Sequence, residues 1–271
     1  MTVCLAHLCE DNKTLILIAD RQIGIGAIEA QPNVRKILQV HPDWRLMFSG
    51  NGIGPVFDME SEIKNELYRK TKNKSTSVKT VLTVFESCYD KVRRRLAEKL
   101  YLRSGISFET LYKNRNESEA DRNEYEAARN KIAGFALEID LLGAGFDKNK
   151  RGHIFSVRNP GIATRHNIPG FHAIGSGSDG AIYYLYYRNS GFMEPLDRAL
   201  YYAYDAKYSG ELAVGVGDKT DIYIWKSGKS PKRVGQDSRK VLRSIAKELV
   251  PGLYSDTSHH ERVKKLPECK T

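Results

Sequence analysis

The head of the chain sets the strongest constraint on its fold. Residues 2–9 (TVCLAHLC) and 14–19 (TLILIA) are short apolar runs separated by the four polar residues 10–13 (EDNK). Apolar runs of this length, bounded by a turn, read as two buried strands of a hairpin. Two further strands are expected at 36–40 and 44–49, split by His41, Pro42 and Asp43. The chain therefore opens as an antiparallel sheet.

After Gly50 the spacing becomes helical. It is weak over 56–67 and strong at Val78, Leu82, Phe85, Tyr89, Val92, Leu96 and Leu100, whose steps of three and four residues form one stripe of a long helix. Arg93, Arg94 and Arg95 fall largely off that stripe, so its apolar side can pack on a sheet. Residues 103–129 are polar and mostly charged, and read as an insertion with some helix and an exposed connection. Strand character returns at 134–146 and 153–157, and a short strand at 170–174 runs into GSGSDG and a helix at 181–187. A helix at 196–208, a strand at 222–225 and a last helix at 238–249, stopped by Pro251 and Gly252, complete the order. Strands and helices grouped in blocks argue for an α+β fold, with helices on the outer faces of antiparallel sheets. The expected domain is 1–249, followed by a basic, flexible tail at 250–271.

With 41% hydrophobic and 28% charged residues, the chain of 271 lies near globular averages. Its start lacks the basic segment and uninterrupted apolar stretch of a signal peptide, and no run approaches the roughly 18 apolar residues of a membrane span. Cys4, Cys9, Cys88 and Cys269 are widely spaced with no CxxC pair, a usage that suits reduced thiols in a cytoplasmic protein. The net charge of +10 is spread, densest at 69–79, 91–103 and 226–247. Each group overlaps an amphipathic helix or its flanks, so solvated helix faces are expected rather than a nucleic-acid surface. Neither nucleic acid nor a membrane is an expected partner.

Chemistry is suggested by Thr2. An initiator methionine is normally removed before a small residue, which would leave a chain beginning with threonine. Such a residue holds a hydroxyl nucleophile and an α-amine together, and an amine of ordinary pKa about 7.7 to 8.0 can take the hydroxyl proton near neutral pH.

The residues that follow carry a resemblance. In order, MTVCLA, LILIADRQ and NVRKILQVHPDWRLMFSGNG resemble the opening of proteasome β-type subunits, and of the bacterial proteasome-like proteins that begin Met-Thr-aromatic-Cys. Lys36 lies 16 positions after Asp20, and Gly50 lies 14 after Lys36, as do the family's aspartate, lysine and oxyanion glycine. Asp20 follows Thr2 by 18 positions, two more than usual, which the turn at 10–13 can absorb. GFHAIGSGSDGAIYYL, at 170–185, is similar to the family's strand, Gly-Ser-Gly turn and helix, and makes Ser176 the supporting serine. The likeness covers about 1–60 and 134–225.

The resemblance implies an N-terminal-nucleophile (Ntn) hydrolase fold, a four-layer αββα sandwich of two antiparallel sheets flanked by helices. It implies Thr2, Asp20, Lys36, Gly50 and Ser176 as catalytic residues. Lys36 near Thr2 would lower the pKa of the α-amine by like-charge repulsion, and Asp20 would hold Lys36 charged and in place. Gly50 would offer its N–H to the developing oxyanion. The implied activity is that of a threonine protease acting on a peptide or protein substrate, in a homo-oligomer, with an ATPase partner left open. Two departures stand: Asp205 and Ser209 are four apart where the family often has Asp-x-x-Ser, and AVGVGDKTDIYIW resembles some bacterial proteasome-like proteins more than β subunits. A catalytically silent structural subunit and a small-molecule amidase of the same fold are the alternatives.

Other motifs have simpler readings. Gly175, Gly177 and Gly180 satisfy G-x-G-x-x-G, but Asp197, where a ribose-binding acid would be sought, lies in a helical stretch instead of ending a parallel strand. His153, His166 and His172 lack metal-ligand spacing, and His259 and His260 sit in the basic tail. The tyrosines between Tyr183 and Tyr204 read as packing between two outer helices or as a subunit contact. No cofactor and no metal are expected.

Overall fold

The structure is a computed structural model and describes residues 2–25, 28–30, 35–50, 53–102, 107–213, 215–248 and 262–269. Met1, the helix stop at Leu249, Pro251 and Gly252, and His259 and His260 lie outside the described residues.

The expected hairpin forms from β1 (Cys4–Cys9) and β2 (Thr14–Asp20), with Cys4 opposite Ala19 and Cys9 opposite Thr14. Glu10, Asp11 and Asn12 take φ of 51°, 56° and 61° in its turn, values that Asp and Asn adopt more readily than most residues. Every residue of both strands is buried. A strand buried throughout needs apolar partners on both faces of its sheet.

Those partners come from the rest of the chain. A short hairpin of β3 (Ile23–Ile25) and β4 (Ile28–Ala30) leads to β5 (Ile37–His41) and β6 (Trp44–Gly50). Helices α1 (Ile53–Thr71), α2 (Val78–Tyr101), α3 (Phe108–Asn114) and α4 (Glu119–Gly134) follow, then β7 (Ile139–Phe146), β8 (Gly152–Arg158), β9 (Ile162–Arg165) and β10 (Phe171–Ile174). Helices α5 (Ser178–Tyr187) and α6 (Leu196–Gly210), strands β11 (Thr220–Lys226) and β12 (Lys232–Arg233), and α7 (Gln236–Glu248) complete the order. Two five-stranded antiparallel sheets result, ordered β10-β1-β2-β11-β12 and β5-β6-β7-β8-β9. The fold is α+β, as the blocks of strands and helices predict.

Alternate residues of β1 and β2 enter different apolar clusters. Leu5, Ile16 and Ile18 join Leu185 of α5, Leu200 and Tyr204 of α6, and Leu242 of α7. Ala6, Leu15 and Leu17 join Met47 of β6, Leu142 of β7 and Ile154 of β8, so the two sheets share a core. A third cluster sets Leu46, Leu141 and Phe155 against Met59 and Ile63 of α1 and Val84, Phe85 and Tyr89 of α2. Each fully buried aliphatic side chain contributes about 1.5 to 3 kcal/mol.

Several boundaries differ from the sequence reading. The buried face of α2 runs through Val81, Val84, Phe85, Cys88, Tyr89 and Val92, while Leu100 is exposed and Val78, Leu82 and Leu96 are only partly covered. The helix packs on α1 and α4 as well as on β8 and β9, so its apolar face turns away from a single-sided stripe. The strand expected to begin at 134 begins at Ile139, because α4 continues to Gly134. The charged stretch is helical over α3 and α4, with α4 packed on α2. β9 is mostly exposed and so lacks an apolar pattern to read. The tail expected to be free contributes Val263 and Leu266, both buried in the cluster of α6 and α7. Glu268 there accepts from Gly235 N and Ser238 Oγ, each at 2.9 Å, so residues 262–269 belong to the packed fold.

Three histidines are placed where charge is unwelcome. His7, fully buried, meets Ser190 Oγ at 2.7 Å, and the rings of His166 and His172 stack with centroids 3.6 Å apart. Burial pulls His7 and His166 down to about 4 and His172 to about 3. The fold holds these imidazoles neutral, so below their unfolded pKa of about 6.5 the unfolded chain binds protons that the fold refuses. Stability is expected to fall as pH drops from about 6.5 to about 4, through these groups. Urea unfolding across that range, compared between wild type and His172→Gln, checks it: the variant should lose less stability, and an unchanged slope would refute the assignment.

Candidate active site

Thr2 precedes β1, and the chain packs it from three sides. Its Oγ1 accepts a hydrogen bond from Lys36 Nζ, which also donates to Asp20 Oδ1 at 2.9 Å. Its N–H donates to Ser176 Oγ at 3.2 Å, and its carbonyl accepts from Gly177 N at 3.1 Å. Thr2, Asp20 and Lys36 are 5%, 1% and 3% exposed. Four of the five residues picked from sequence thus share one hydrogen-bonded group.

Asp20 ends β2 and is the best-supplied acceptor in this group. Oδ1 takes Lys36 Nζ and Val3 N, the latter at 3.0 Å; Oδ2 takes Gln22 N at 2.9 Å and Gly217 N at 3.3 Å. A carboxylate with four donors around it has its acceptor sites filled, and it pairs with the buried Lys36 side chain. The Asp20–Lys36 ion pair is therefore more than an ordinary pair near a turn: its ammonium is shared with the Thr2 hydroxyl.

The turn 175–177 explains its glycines without a nucleotide. It joins β10, antiparallel to β1 at the sheet edge, to α5, so no parallel βαβ unit exists there. Gly175 has φ 97°, and a Cβ on it would lie 2.2 Å from the Thr2 carbonyl oxygen. A Cβ on Gly177 would lie 2.6 Å from the Gly210 carbonyl at the end of α6. The turn is wedged between Thr2 and α6, and Asp197 sits on α6.

Gly50 is placed differently. It ends β6 opposite Ile139 with φ 114°, and a Cβ there would lie 2.0 Å from the Glu138 carbonyl oxygen. The β6–β7 junction therefore requires glycine on steric grounds. Cys4 Sγ donates to the Phe48 carbonyl at 3.4 Å, which ties β1, two residues after Thr2, to β6, two residues before Gly50. Burial pushes the Cys4 thiol up to about 12 against the opposing effect of Lys36, so Cys4 stays protonated and non-nucleophilic.

Asp205 accepts from Tyr184 Oη on α5, and Ser209 lies a turn later on α6, beside Gly180. The tyrosines divide: Tyr201 and Tyr204 are buried, whereas Tyr183, Tyr186 and Tyr187 are exposed.

Sequence reasoning missed a second buried lysine. Lys207 on α6 is fully buried, donates to Glu211 Oε1, and donates to the Gly217 carbonyl at 2.9 Å. Arg243 reaches both carboxylate oxygens of Glu211 at 3.2 Å. Burial pulls the Lys207 ammonium below the ordinary lysine value, and Glu211 opposes that pull. Lys207 thus anchors the residue whose N–H reaches Asp20. A signal existed: Leu200, Ala203, Lys207 and Gly210 repeat at three and four residues, so the helical period puts Lys207 on the apolar face.

Among the described residues, no group of three or more His, Cys, Asp or Glu is placed to hold a metal ion, and no helix is long and apolar enough to cross a membrane. No family model matches the chain, and no curated protein matches it.

The turn's hold on Thr2 is testable. Gly175→Ala combines a left-handed backbone with a clash against the Thr2 carbonyl, and is expected to destabilise the fold by about 1 to 3 kcal/mol or more. Ser176→Ala, which removes only the hydroxyl, should cost about 1 kcal/mol. Chemical denaturation of both variants compares them, and equal stabilities would overturn the packing argument.

Proposed function

We propose that the chain is a threonine-type Ntn hydrolase of the proteasome-like kind, built as a four-layer αββα sandwich and cleaving amide bonds in a peptide or protein substrate. The supporting observation is Lys36 Nζ, which donates to both Thr2 Oγ1 and Asp20 Oδ1 in a buried group. In a structural subunit this arrangement would be one more ion pair; the shared hydroxyl is what favours chemistry.

The proposed steps are as follows. Removal of Met1 converts the Thr2 N–H into an α-amine, with Ser176 Oγ at 3.2 Å from that nitrogen. The positive Lys36 disfavours a protonated amine beside it, leaving a base able to take the Oγ1 proton. Oγ1 then attacks the substrate carbonyl, and Gly50 N–H is the proposed oxyanion donor. The α-amine returns the proton to the departing amine, an ester to Thr2 forms, and water releases it by the reverse proton transfers. Asp20 acts through Lys36 and does not touch substrate. A cytoplasmic location and assembly into a homo-oligomer belong to the same proposal.

Native-protein mass is the first test: the Met1-free mass is expected, and retention of Met1 would remove the amine base and end the proposal. In the processed protein, Thr2→Ala should lower peptide cleavage by about 10³-fold or more, while Thr2→Ser keeps measurable activity. A panel of peptides and simple amides separates a peptidase from a small-molecule amidase.

A further inference from the structure

Behind Asp20, on the α7 side of the first sheet, lies an open cleft of about 420 Å³. Six of its lining side chains are cationic: Arg21, Lys219, Arg233, Arg239, Lys240 and Arg243. Among the described residues, the one acidic lining residue is Asp218.

The carboxylates near this cleft are already engaged. Asp221 takes both nitrogens of the Arg21 fork, at 2.9 and 2.7 Å, and also Arg233 at 2.6 Å. Glu211 and Asp218 face Arg243, and Asp237 faces Lys240 at 3.3 Å. Among the described residues, Arg239 donates only to carbonyls, to Thr220 O at 2.7 Å and Gly235 O at 3.3 Å. Among the described residues, neither Arg239 nor Lys219 forms an ion pair. Burial, then the neighbouring Arg233 and Arg21, hold the Arg239 guanidinium below the ordinary arginine value. Arg239 and Lys219 therefore line a cleft whose fixed acids serve other partners, and an added anion would relieve the repulsion that Arg233 and Arg21 place on Arg239.

We propose that this cleft is a binding site for a phosphoryl group of a multiply charged ligand. Its donors come from the end of β2, the loop before β11, β12 and α7, so four separate segments converge on one open cleft. A planar carboxylate is satisfied by one guanidinium fork, whereas a phosphoryl group offers oxygens in several directions to donors placed around it. The site does not depend on the hydrolase reading. It adjoins the active site all the same, because Thr220 pairs with Asp20 and Arg21 N donates to Lys219 O at 3.0 Å.

Calorimetric titration of the full chain with inorganic pyrophosphate, at ionic strength fixed with chloride, tests the assignment. Saturable binding is expected, weakened roughly tenfold or more in Arg239→Gln and by a smaller factor in Lys219→Ala. Lys219 is exposed and its side chain makes no hydrogen bond or ion pair among the described residues, so its variant keeps the test valid if Arg239→Gln misfolds. ADP binding more tightly than pyrophosphate would assign the phosphoryl group to a nucleotide, and equal affinity would assign it to a free phosphate. No binding, wild-type affinity in both variants, or citrate binding as tightly as pyrophosphate would overturn the proposal.

Discussion

The carboxylate of Asp20 is the interaction on which the rest of the structure depends. Buried at the end of β2, it needs hydrogen-bond donors for both its oxygens, and it has them from Lys36, Val3, Gln22 and Gly217. Each donor fixes a different piece of chain: the start of β1, the exit of β2, the segment before β5 and the loop before β11. Losing one would leave a buried charge short of a partner, so these segments are held as a set.

A second buried charge supports the first. Lys207 is buried on α6 and satisfied by Glu211 and the Gly217 carbonyl, while Gly217 N reaches Asp20. The two ammonium groups thus approach the same carboxylate, one directly through Lys36 and one through a glycine residue. Arg243 and Arg21 extend this polar system to the surface, where cations outnumber the acids available to them. The gradient from a compensated interior to an under-compensated cleft is what makes the outer site a place for an anion.

Packing gives the polar group its rigidity. β1 and β2 are apolar at successive positions, so one set of side chains enters the core shared with the second sheet and the other enters the core under α5, α6 and α7. Thr2 is therefore held at the start of a strand that cannot shift register without sending each set of side chains into the core shaped for the other. The turn 175–177 closes over it from the adjacent strand, with no room for a side chain at Gly175.

Much of this was legible in the chain itself. The hairpin, the long helix α2 and the α+β class were readable because apolar periodicity is local in sequence, whereas the grouping of Thr2, Asp20, Lys36 and Ser176 was readable only through the resemblance to proteasome β-type sequences. The exposed strand β9 was not, since it lacks that periodicity, and the face of α2 was misjudged because α1, α4 and the sheet share it. The packing of Val263 and Leu266 against α6 and α7 was hidden for the same reason: a polar tail shows no partner until the fold presents one. The sequence determined which groups carry charge and which runs must be buried; only the tertiary structure decided that Lys207 lies behind Asp20 and that six cations meet in one cleft. Those arrangements join residues far apart in the chain, and burial and Coulomb energy depend on distance in space, which spacing along the chain does not encode.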